Sequence, residues 1–88
     1  MNRELVLPPG FGDYAWEFEA KGYLDAAVRI DGSLISVSFY DPVRLQQDIA
    51  ADIQAGRIFT VKRLLVIEQV TIENMQWAVA EAPLDFFG

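Results

Sequence analysis

Asp31-Gly32 lies between two alternating runs, residues 24–30 (LDAAVRI) and residues 33–40 (SLISVSFY). A two-residue hairpin loop of type I′ needs positive φ at both central positions, and Asp-Gly is among the pairs that tolerate this best. The turn sets the register: Ile30 opposes Ser33, Val28 opposes Ile35, Ala26 opposes Val37 and Leu24 opposes Phe39. These pairs share one apolar face. Arg29 with Leu34, Ala27 with Ser36 and Asp25 with Ser38 share the other. A slip of one residue would exchange the two faces, so turn chemistry and side-chain pattern must agree, and here they do.

The flanking segments build on that hairpin. Tyr14, Trp16, Phe18 and Ala20 alternate with Ala15, Glu17, Glu19 and Lys21, the period of a half-buried strand. An odd loop or a bulge at Gly22 aligns Phe18 with Ala26 and Trp16 with Val28. Residues 3–7 form a short strand or lie irregularly. Asp41-Pro42 supplies a helix cap and a first-turn proline. Leu45, Ile49 and Ile53 then repeat at i, i+4, i+8, with Arg44, Gln47, Asp48 and Ala51 outward and Gly56 as the left-handed stop. A strand follows over 61–69. Thr71 caps a second helix with Ile72, Met75, Val79 and Ala82 inward, and Val70 staples onto Met75. Pro83 ends that helix. The order β-β-β-α-β-α gives an α+β fold, a two-layer sandwich in which an antiparallel three-stranded meander precedes α-β-α. Eighty-eight residues suit one domain over 1–88.

Composition removes several chemistries. Cysteine and histidine are both absent, which leaves no disulfide framework, no zinc or copper ligand set and no histidine-based triad. Gly10-Phe11-Gly12-Asp13 lacks the Gly-Lys-Ser/Thr of a phosphate loop, and it reads as a turn before a strand rather than the start of a helix. No cofactor is expected. The formal charge of −6, with seven basic residues scattered among thirteen acids, argues against nucleic acid and for steering toward a basic protein. No run approaches the length of a membrane span, and the opening residues lack the apolar stretch of a signal peptide. The expectation is a cytoplasmic, bacterial-type protein without a membrane partner.

The candidate surfaces follow from these faces. Glu17, Glu19 and Asp25 crowd the outer sheet face in this reading, with Glu19 opposite Asp25, as a carboxylate-dependent enzyme would require. Asp48 and Asp52 lie one helical turn apart and are too few for a calcium shell. Solvated charge explains both groups. The remainder of the outer face, Leu34, Ser36, Ser38 and Tyr40, is small and weakly charged and suits docking. Trp77 points away from its helix's apolar stripe and either anchors an interface or is covered by Phe86 and Phe87. One pair of the last strand, Leu64 with Val66 or Leu65 with Ile67, is left without cover. The expected function is a non-enzymatic interaction module that self-associates as a homodimer. The alternatives are a small acidic inhibitor or immunity-type protein that neutralises a basic partner, and, least favoured, a carboxylate enzyme.

Overall fold

The computed structural model describes residues 2–88; Met1, the first residue of the domain expected over 1–88, lies outside the described residues. The elements are β1 (Arg3–Val6), α1 (Phe11–Lys21), β2 (Tyr23–Ile30), β3 (Ser33–Tyr40), α2 (Pro42–Gln54), β4 (Leu64–Val66) and α3 (Ile72–Glu81), closed by a 3-10 turn at Leu84–Phe86. The sheet order is β1-β2-β3-β4, antiparallel except for the parallel pair β3–β4. The fold is α+β, and an antiparallel meander followed by α-β-α is present. The meander's first strand is β1, with α1 inserted before β2.

The β2–β3 register is the one that the turn dictates, from Leu24 opposite Phe39 to Ile30 opposite Ser33. Asp31 (φ 50°) and Gly32 (φ 83°) both take the left-handed conformation. Leu24, Val28, Ile30, Val37 and Phe39 point into one hydrophobic core with Phe11, Ile67, Val70, Met75, Val79 and Phe87. The core is thus the sheet against α1 and α3. Val70 and Met75 are both fully buried, and Thr71 Oγ1 accepts the Asn74 amide.

The segment from Tyr14 to Ala20 is helical, contrary to the strand expected there, and the turn at 10–13 opens that helix. Phe11, Ala15 and Phe18 recur at i, i+4, i+7 and pack toward the core. The Phe11 and Phe18 rings stack with centroids 5.5 Å apart. The place beside β2 is filled by β1, with Leu5 opposite Val28 and Arg3 opposite Ile30. Ala, Glu and Lys at positions 15, 17, 19, 20 and 21 also favour helix over strand. Gly22 is consequently no bulge. It ends α1 in the left-handed conformation (φ 71°), its N–H donating to Phe18 O at 3.0 Å.

Asp41 accepts the Arg44 amide at 2.7 Å as the cap of α2, and Gly56 (φ 79°) follows its end. Yet among the described residues none of α2 is fully buried, and the helix contributes nothing to the core cluster. Ile53 is exposed, whereas Arg44 and Asp48, expected outward, are partly buried. The last strand is shorter than the 61–69 expected. Leu65 and Ile67 face the core, and Leu64 and Val66 are the pair without that cover.

Gly22 and Asp41 touch where the two connections cross. A Cβ on Gly22 would lie 2.3 Å from an Asp41 carboxylate oxygen, and the Asp41 amide donates to Gly22 O at 2.9 Å. Gly32 has nothing within 4 Å of its would-be Cβ. We therefore expect Gly22→Ala to add loss of the α2 cap, about 0.5–2 kcal/mol, to a left-handed penalty of about 1–2 kcal/mol, whereas Gly32→Ala incurs the penalty alone. Urea midpoints of the two variants measure the difference.

Candidate interaction surface

The sheet face turned away from the core is built by alternate residues: Glu4 and Val6 of β1, Tyr23, Asp25, Ala27 and Arg29 of β2, Leu34, Ser36, Ser38 and Tyr40 of β3, and Leu64 and Val66 of β4. It divides into a covered corner and an open remainder.

The corner is organised by two tyrosines. A single residue, Asp41, separates β3 from α2, so the helix must turn back at once over the strand end. That brings Asp48 within 2.7 Å of the Tyr40 hydroxyl, which donates to it. Arg44 Nε donates to the other Asp48 oxygen at 2.9 Å, and the Arg44 guanidinium lies over the Tyr23 ring at 5.6 Å. The Tyr23 and Tyr40 rings meet at 4.8 Å. Asp25 accepts from the Tyr23 hydroxyl and from Ser38 Oγ. Tyr40 is 4% exposed and so offers no docking surface.

Burial and then the hydrogen bond to Asp25 push the Tyr23 hydroxyl up to about 12. Burial and the Asp48 carboxylate raise Tyr40 as well. Burial alone would raise Asp48, but the Tyr40 and Arg44 hydrogen bonds and the Arg44 charge outweigh it and hold the carboxyl below its usual range. The result is a pair of firmly protonated phenols. General acids at neutral pH need the opposite adjustment.

The open remainder carries Leu34, 60% exposed, with Ser36 exposed and Ser38 partly so, while Val66, 47% exposed, lies opposite Tyr40 at the border of the corner. A shallow groove of about 500 Å³ crosses it, with Ala27, Ser36 and Ser38 along it and Pro8, Lys62 and Arg63 at its margins. Of its charges, Arg29 pairs with Glu4 at 2.6 Å, and Asp25 is hydrogen-bonded by two hydroxyls.

The other sequence candidates separate. Glu17 and Glu19 belong to α1, so Glu19 does not face Asp25 and the carboxylate cluster does not form on the sheet. Asp48 pairs with Arg44 and Asp52 with Arg57. Trp77 is 63% exposed on α3. Phe87 is buried and Phe86 packs on the core, so the tail fills the interior and leaves Trp77 open. Sequence reasoning did not single out Tyr23, and it placed Arg44 and Asp48 outward, with Asp48 weighed only beside Asp52. The Arg44/Asp48 spacing of i, i+4, directly after a one-residue connection to Tyr40, is the signal that could have found them.

We expect Tyr40→Phe to cost about 1 kcal/mol at neutral pH, because Asp48 loses a hydrogen-bond donor. Asp48 is depressed in the folded state. Its contribution is therefore present above the unfolded value near 4 and lost as pH falls through the folded one. The stability gap between wild type and variant should close in acid, as urea melts at neutral pH and about pH 2 will report. Tyr23 behaves in the opposite sense: its contribution holds below the unfolded value near 10 and is lost as pH rises through about 12.

No family model, no curated protein and no solved structure matches this chain.

Proposed function

We propose that this protein is a non-enzymatic interaction module that self-associates through the open part of its outer sheet face. The observation that carries the reading is the uneven covering of the sheet. One face is packed under α1 and α3, while the other has only its Tyr23/Tyr40 corner occupied. Leu34 and, beside the corner, Val66 remain in solvent on a face where Glu4 and Arg29 pair with each other. Exposed apolar surface of this kind marks interaction sites, and two-fold pairing is the commonest way for a small domain to bury it. The low net charge of this face removes the repulsion that a strongly acidic one would impose on two copies.

A second reading, a small acidic protein that neutralises a basic partner, draws on how charge is distributed. α1, α3 and the final 3-10 turn carry Asp13, Glu17, Glu19, Glu73, Glu81 and Asp85 against Lys21 alone. Nearly all of the −6 net charge therefore sits on the helical layer. The same layer exposes Trp16 (69%) and Trp77, residues of the type that anchors interfaces. Like charge makes that layer a poor self-interface and a good match for a basic one.

Sedimentation equilibrium at micromolar concentration tests the leading reading. A species of twice the 9.9 kDa chain mass is expected, and Leu34→Asp should weaken it by at least about tenfold. A clean monomer across the range overturns self-association. Binding to a basic partner that is lost in a Trp16→Ala/Trp77→Ala variant, with the monomer intact, transfers the function to the helical layer.

A further inference from the structure

The charge pattern of α2 is inverted. A helix on a protein surface ordinarily keeps its charged side chains in water and its apolar ones beneath. The charged residues of α2 are Arg44, Asp48 and Asp52, spaced i, i+4, i+8, and all three are partly buried. Arg44 and Asp48 engage each other and the two tyrosines, and Asp52 pairs with Arg57. Every described residue that the helix exposes is uncharged. Val43, Gln46, Ala50 and Ile53 recur at i, i+3, i+7, i+10 along that side, one stripe at helical spacing. Val43 is 66% and Ile53 63% exposed. By contrast α1 exposes Asp13, Glu19 and Lys21, and α3 exposes Glu73 and Glu81. Loss of charge, more than gain of apolar area, is what separates an interface core from ordinary surface.

α2 and the open part of the outer sheet face lie on the same side of the sheet, because the tyrosines that α2 holds belong to that face. The face is therefore stepped. It is raised by α2 at the Tyr40 end of β3 and bare at Leu34, six residues or about 20 Å away. Sheets in direct contact lie about 10 Å apart, roughly the diameter of a helix with its side chains. α2 thus keeps two copies from closing flat on each other over the corner. A two-fold axis lying in the face and crossing the strands removes the obstacle. It sets the raised end of each copy over the bare end of the other, so a single operation covers both uncharged surfaces, as an isologous contact requires.

We propose that α2 of a second copy is what covers the open sheet face, with Val43, Ala50 and Ile53 of each chain packed on Leu34 and Ser36 of the other. The inference rests on the self-association reading above and specifies the occupant of that surface. The second copy is favoured over a foreign protein because the two unpartnered surfaces match each other in height, in lack of charge and in side of the sheet. The Gln46 amide on the stripe is both donor and acceptor, so it finds a partner in the Ser36 hydroxyl, which is also both. The helical layer that carries most of the acidic residues faces away from this contact.

The chain has no cysteine, so single introduced thiols report proximity without background. Ser36→Cys and Ala50→Cys, both at exposed positions, are made in separate full-length chains, mixed at micromolar concentration and treated with a short bismaleimide. The mixed dimer linked from 36 to 50 should predominate over both like-with-like products in the mass spectrum. Ala50→Glu, a change that a helix tolerates well, should weaken the dimer at least about tenfold in sedimentation equilibrium and leave the circular dichroism unchanged. A predominant 36-to-36 product would mean that sheet meets sheet, and a predominant 50-to-50 product that helix meets helix; either overturns the proposal. So does a dimer that Leu34→Asp disrupts and Ala50→Glu does not, an outcome that leaves the self-association reading standing. A wild-type chain that stays monomeric throughout removes that reading and this inference together.

Discussion

The positive φ values at Asp31 and Gly32 hold β2 and β3 in a register that sorts their side chains by parity. Leu24, Val28, Ile30, Val37 and Phe39 are sent to one side, and α1 and α3 have a surface to bury against only because those five residues lie together. Tyr23 and Tyr40 are sent to the other side, and α2 has a place to rest only because they adjoin there. A one-residue slip would put serines beneath α3 and valines in water. The β1–β2 pairing inherits the same parity, since Leu5 opposite Val28 is inward and Glu4 opposite Arg29 is outward.

The two sides are secured by different forces. On the inner side the gain comes from apolar area removed from water, with Phe39, Met75, Val28, Val37 and Val70 fully enclosed. On the outer side the tyrosine corner is held by charge-assisted hydrogen bonds and ring contacts among partly exposed groups, which are individually modest. α2 depends on this weaker set, so it is the element least tied to the core. The apolar side chains that it and its following loop leave in solvent, Val43, Ile53 and Ile58, are consistent with a helix that has a cap and a stop but little to pack against.

Surface charge follows the same division. The helical layer gathers acids and both tryptophans, whereas on the sheet's outer face Glu4 and Arg29 offset each other and Asp25 is hydrogen-bonded by two hydroxyls. Two copies meet less repulsion across the second surface than across the first, to which a cationic partner is drawn.

Much of the chain declared itself locally. Asp31-Gly32 set the hairpin, Asp41-Pro42 and Thr71 set two helix starts, and Gly56 and Pro83 set their ends, each through a conformational preference that acts within a few residues. The segment 14–20 did not. Its aromatic alternation suits a strand and its Phe11/Ala15/Phe18 spacing suits a helix; local propensity leans to helix, and β1, from a dozen residues upstream, occupies the side of β2 that a strand there would have needed. The candidate surface was legible as far as Leu34, Ser36 and Ser38, whose face the turn dictates. Tyr40, Phe87 and the Arg44/Asp48 pair were not legible, because their burial depends on where α2 and the tail come to rest. Sequence by itself determined the periodicities, caps and turns; tertiary structure decided which of two compatible periods won and which face each helix covered, since those outcomes depend on competition for neighbours far apart in the chain.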